Sequence, residues 1–130
     1  MLFEKYFIPI EANKTLPLVK QIVRDIINSA NELRILRTNI EKDFEDDILV
    51  KKHLEMINYF VDELKEIGCF YKDWNFEIGL VDFPSIIDEE EVMLCWKSDE
   101  EDIKFYHNHE EGFAGRKPIP EKYFVEEAII

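Results

Sequence analysis

The chain is short of several things, and each shortage removes a class of function. It has two cysteines, Cys69 and Cys95, set far apart and without the CxxC spacing of a zinc ribbon or a dithiol redox centre. Both lie in apolar runs, Gly68-Cys69-Phe70-Tyr71 and Leu94-Cys95-Trp96, where a free thiol behaves as a small buried hydrophobe. No long apolar run and no cleavable leader precedes Glu4 and Lys5, so the expectation is a cytoplasmic protein with no membrane segment. Positive charge is scarce: 16 Lys and Arg stand against 29 Asp and Glu, a net charge of −13. Nucleic-acid affinity rests on cationic side chains displacing counterions, and such a surface repels phosphate. Nucleic acid and anionic membrane are therefore set aside as partners. The chain also lacks any catalytic motif of high specificity.

What is present is enough for one domain. A chain of 130 residues buries roughly two thirds of its unfolded surface and folds around a single core without staples. A hydrophobic fraction of 46% and an aromatic fraction of 13%, with ten Phe, fill such a core. We expect a single domain over 1–130, with a helical hairpin at about 9–68, a β-meander and glycine-containing loop at about 69–118, and a tail at 119–130.

Helical period dominates the first half. Pro9 opens Ile10-Glu11-Ala12-Asn13, a stretch suited to a first helical turn. Pro17 then predicts either a new helix start or a kink. From Leu18 the apolar residues Val19, Ile22, Val23, Ile26, Ile27, Ala30, Leu33, Leu36 and Ile40 recur at threes and fours, a stripe that predicts a long amphipathic helix to about Phe44. A second stripe, Ile48, Leu49, His53, Leu54, Ile57, Phe60, Val61, Leu64 and Ile67, ends at Gly68, which suits a left-handed C′ position. Glu45-Asp46-Asp47 lies between them as a turn and sets negative charge at the second helix's N-terminus. His53 on that stripe reads as a packing residue.

After Gly68 the pattern changes to short aromatic and β-branched runs. Ile78 to Phe83, Glu91 to Lys97 and Ile103 to His107 predict three strands separated by acidic turns. Pro84 cannot donate to a ladder, so the first strand is expected to end at Phe83 or to lie on an edge. The fold class is thus α+β: a long antiparallel helical hairpin followed by a small three-stranded antiparallel β-meander.

Three pieces in fixed order, Gly79-Leu80-Val81-Asp82-Phe83-Pro84, Leu94-Cys95-Trp96-Lys97, and Tyr106-His107 followed by Gly112-Phe113-Ala114-Gly115-Arg116-Lys117-Pro118, resemble a prokaryotic family catalogued as domain of unknown function 2203. Glu11-Ala12-Asn13 ahead of Leu16-Pro17-Leu18 fits the family's usual opening. The resemblance implies one domain of helices followed by a small sheet, and it carries no activity, cofactor or partner with it. The chain departs from the family pattern at Tyr106-His107-Asn108-His109, where members resemble Trp-His-Asp-Leu, so His109 is a feature of this chain.

The residues that do chemistry gather between Asp82 and Arg116. A metal site is one reading: on a strand His107 and His109 share a face and bring two imidazoles to one zinc or iron, with Glu110, Asp82 or Cys95 completing the set. Register bears on this. A four-residue turn at Asp99–Asp102 pairs Ser98 with Ile103, puts Leu94 opposite His107 and Trp96 opposite Phe105, and turns Cys95 away from His107. A five-residue turn brings Cys95 opposite His107 and sets Lys104 on the apolar face, at a desolvation cost. The first register is preferred, and with it a structural His107 beside Trp96. A Cys95 nucleophile with His107 has the residue types and lacks a setting that makes thiolate. Asp88 to Glu91 and Asp99 to Asp102 read as solvated turns.

The Gly112–Arg116 loop is the candidate recognition element, with Phe113 as an apolar anchor and Arg116 as a fork for carboxylate or phosphate. In its structural reading Phe113 plugs the core and Arg116 pairs with Asp82 or Glu11. The leading expectation is a non-enzymatic interaction or small-ligand-binding domain without a cofactor, its pocket lined by Trp96, His107, Phe113, Arg116 and Asp82. Its first helix, longer than the second, is available for self-association. The alternative is a metal-dependent hydrolase using His107, His109 and a carboxylate such as Glu110.

Overall fold

The computed structural model describes residues 2–39, 44 and 47–125. Its elements run α1 (Pro9–Asn39), α2 (Ile48–Ile67), β1 (Phe70–Tyr71), β2 (Leu80–Ile87), β3 (Glu90–Lys97), β4 (Phe105–His107) and β5 (Lys117–Pro118), with 3₁₀ turns at Phe113–Gly115 and Glu121–Phe124. The fold is α+β: two helices and an antiparallel five-stranded sheet in the order β1-β2-β3-β4-β5.

α1 is helical through Pro17 for 31 residues, because Pro9 occupies its first position and the buried stripe Ala12, Leu16, Val19, Ile22, Val23, Ile26 and Ala30 anchors both sides of the proline. No new helix starts at Pro17, and the described part of the helix runs to Asn39; its expected continuation to about Phe44 falls on residues 40–43, which lie outside the described residues. Ile40, Glu45 and Asp46 lie outside the described residues. α2 has the predicted bounds. The Asp47 carboxylate accepts from the Leu49 and Val50 N–H groups, and Gly68 closes the other end at φ 110°, with its N–H donating to the Leu64 and Lys65 carbonyls.

One core joins both helices to one face of the sheet. The α1 stripe, with Ile57, Val61 and Leu64 of α2, meets Tyr71, Val81, Phe83, Val92, Leu94 and Trp96. No helix among the described residues is long and apolar enough to cross a membrane.

The sheet has five strands rather than three because β1 and β5 are two residues each, too short to show any alternation in sequence. β2 also runs past the expected stop at Phe83. β1 covers only Val81 and Asp82, so at Pro84 the outer side of β2 is free of a neighbouring strand. There the Phe7 N–H donates to the Pro84 carbonyl at 2.7 Å, and the Ser85 hydroxyl donates to the Phe7 carbonyl at 2.6 Å. The N–H that proline lacks falls on this outer side, where no ladder needs it.

The β3–β4 register differs from both readings made above. Met93 pairs with His107, Leu94 with Tyr106 and Cys95 with Phe105. The cause is Asn13 of α1, whose Oδ1 accepts from the Ile103 N–H at 2.8 Å and whose Nδ2 donates to the Ile103 carbonyl at 3.2 Å. Ile103 is thereby held off the ladder and fully buried, while the Ser98 N–H continues the β2–β3 pairing by donating to the Gly79 carbonyl. Moving the pairing by one residue exchanges the two faces of a strand. Trp96 and Leu94 therefore face the helices, whereas Cys95 and His107 share the opposite face.

Candidate functional site

That opposite face holds the main concentration of buried polar chemistry. Asp82 on β2 pairs directly with Cys95 on β3, and His107 on β4 lies diagonally across from Cys95. All three side chains are buried. Their ligand atoms lie within 4.8 Å of one another, and His107 Nε2 stands 3.1 Å from Asp82 Oδ1. His107 Nδ1 lies 2.8 Å from the Asn108 carbonyl, which only accepts, so this nitrogen carries a proton. Burial by itself lowers the affinity of the ring for a second proton, but hydrogen bonds to Asp82, Cys95 and the Asn108 carbonyl outweigh it and raise the pKa from 6.5 to about 10. That shift favours the protonated ring beside the Asp82 carboxylate. Among the described residues that carboxylate has no other hydrogen-bond donor.

The structure thus brings together Asp82 and His107 from the predicted set and adds Cys95, which the preferred register had turned away. His109 does not join them: its ring stacks on Phe3 at 5.7 Å, and Phe3 in turn packs on Phe70 at 5.4 Å. The one group of three or more possible metal-binding side chains among the described residues contains neither His109 nor Glu110. Cys69 lies apart in the core, where burial pushes its thiol up to about 12.

Arg116 turns inward. Its Nη2 reaches both Glu100 carboxylate oxygens at 2.7 Å and the Cys95 carbonyl at 3.3 Å. The guanidinium is sandwiched between Phe105 at 4.2 Å and Phe113 at 4.7 Å. Its partner is Glu100, not Asp82 or Glu11, and Phe113 is 42% exposed rather than plugging the core. Trp96 belongs to the other face and donates its indole N–H to the Glu100 carbonyl. Trp96 thus lies on the opposite face of the sheet from Cys95 and His107, while Arg116 reaches the Cys95 carbonyl and Glu100.

A sizeable concavity lies elsewhere. A groove of ≈ 780 Å³ runs between the first turn of α1, residues 102–105, β5 and the last 3₁₀ turn. Ile10, Ile103, Phe105, Pro118, Ile119 and Phe124 form its apolar walls, with Lys14, Lys104, Asp102 and Glu121 among its polar residues. Sequence reasoning missed it because these residues come from separate stretches, each of which reads as ordinary core or turn. The only local signal is Asn13, whose engagement of Ile103 sets the groove's shape.

A family model described as an uncharacterized conserved protein (DUF2203) matches residues 5–119. Comparison with curated proteins and with solved structures gives no match.

Proposed function

The chain belongs to the DUF2203 family, and we propose that it is a cytoplasmic domain that binds a small, largely apolar molecule without transforming it. The observation that carries this reading is the groove beside Asn13. Its volume falls in the range of ligand pockets, and its walls are mostly aliphatic and aromatic with a few polar groups at the margin. None of the three clustered residues Asp82, Cys95 and His107 lines the groove, whose charged groups, Lys14, Lys104, Asp102 and Glu121, stand among its lining residues. In this reading α1 and α2 form an antiparallel hairpin, whose scaffold holds the first turn of α1 against residues 102–105.

The test uses an environment-sensitive apolar dye, 1-anilinonaphthalene-8-sulfonate, and a screen of apolar fragments followed by amide chemical shifts. Binding should move the amides of Ile10, Lys104 and Ile119 together and saturate at one site. Phe124, 38% exposed, can be changed without opening the core. Phe124→Glu should weaken binding at least about tenfold by placing a charge on an apolar wall, with an unchanged melting temperature. Fragment shifts scattered over the surface, or full binding by Phe124→Glu, would refute the reading.

A further inference from the structure

We propose that Asp82, Cys95 and His107 form a binding site for one divalent transition-metal ion of the zinc class. The site is distinct from the groove and from the His107, His109 and Glu110 set that sequence spacing brings to mind. Its ligands come from three adjacent strands whose register is fixed by backbone pairing, so their placement does not depend on a loop.

The donor set is chemically coherent. A carboxylate oxygen, a thiolate sulfur and an imidazole nitrogen are each zinc ligands, and two anions with a neutral imidazole balance the charge of a divalent ion. Metal–oxygen and metal–nitrogen bonds of about 2.0 Å in a tetrahedron set those two atoms roughly 3.3 Å apart. Asp82 Oδ1 and His107 Nε2 are 3.1 Å apart, and the Cys95 sulfur lies within 4.8 Å of both. In a tetrahedral site with a metal–sulfur bond of about 2.3 Å the sulfur would stand roughly 3.5 Å from each of the other two atoms.

Two further observations favour an ion over a purely structural pair. The Nδ1–H of His107 is held by the Asn108 carbonyl, which fixes the ring so that Nε2 is the nitrogen presented to Asp82 and Cys95. Metal-bound histidines are oriented by such a backbone acceptor on the far nitrogen. The Asp82 carboxylate, 5% exposed, has a single hydrogen-bond donor among the described residues. The carboxylate thus keeps acceptor capacity beyond the His107 contact, which a bound cation could take up. Three protein ligands leave a fourth position on a tetrahedral ion.

Cobalt reports on the site directly, because a thiolate bound to Co²⁺ gives a near-ultraviolet charge-transfer band. Full-length, untagged protein is stripped with chelator, dialysed and titrated with Co²⁺. The expected result is a thiolate band that saturates at one ion per chain and is displaced by Zn²⁺. Cys69→Ser should keep the band and Cys95→Ser should lose it. Asp82→Asn should weaken Zn²⁺ binding at least about 100-fold, more than the loss usual for a group that only orients a ligand. The wild-type spectrum needs no variant to fold: no Co²⁺ uptake, or uptake without a thiolate band, overturns the proposal, as does a band that survives Cys95→Ser. Neither result bears on ligand binding in the groove.

Discussion

Asn13 binds Ile103 as a neighbouring strand would, accepting from its N–H at 2.8 Å and donating to its carbonyl at 3.2 Å. A side chain on the first turns of α1 thereby does the work of a ladder and decides where β4 begins. Asn13→Ala leaves the N–H of a fully buried residue without a partner, at a cost of about 1–3 kcal/mol. Asn13→Asp keeps the acceptor and loses only the donor, so it should fall between alanine and wild type. Urea unfolding of the three proteins checks the order. An alanine variant as stable as wild type would mean that the contact does not set the register.

Arg116 and Glu100 form the second fixed point of the same region. The pair is 13% and 21% exposed, so part of its attraction is screened, and we expect Arg116→Ala to cost on the order of 2 kcal/mol. Arg116→Lys should recover little, because an ammonium lacks the flat guanidinium that lies between Phe105 and Phe113. A double-mutant cycle with Glu100→Gln should give a coupling of about 1–2 kcal/mol. A coupling near zero would leave the aromatic sandwich as the main contribution of Arg116.

The ion-free chain should lose stability in alkali. The His107 pKa is about 10 in the folded chain against 6.5 for a free ring: burial opposes the charge, and Asp82, Cys95 and the Asn108 carbonyl together outweigh it. A raised folded pKa contributes stability that is complete below about pH 6.5 and is lost as pH rises through about 10. Between those limits the unfolding free energy in the presence of chelator should fall by at most about 1.4 kcal/mol per pH unit. His107→Gln should show a shallower decline. A wild-type profile as flat as that of the variant would mean that the ring is neutral in the folded state.

Much of the architecture was legible because it is written in local patterns. The stripe from Ile48 to Ile67 gave α2 its bounds, since a 3.6-residue period and a terminal glycine suffice to define a helix. The central strand at Glu90–Lys97 differs from expectation by one residue. What was not legible depends on contacts between distant segments. The β3–β4 register turned on Asn13, 90 residues from Ile103, and no turn rule near Asp99 contains that information. That β2 passes Pro84 on a side free of a neighbouring strand fits the edge alternative of the proline rule, while the partner there, Phe7, is distant in sequence and was not legible. Of the candidate residues, Asp82 and His107 were named from the sequence and do meet. Cys95 joined them only once the true register put its sulfur on their side.

The short first strand leaves the outer rim of Pro84–Ile87 guarded by the opening of the chain, through Phe7, the Ser85 hydroxyl and the Tyr6 hydroxyl on Glu91. Trimming residues 2–7 would strip that guard and bare a row of backbone groups ready to recruit another molecule edge to edge. Residues 2–7 thus act as a cover for a sheet edge rather than as a loose end.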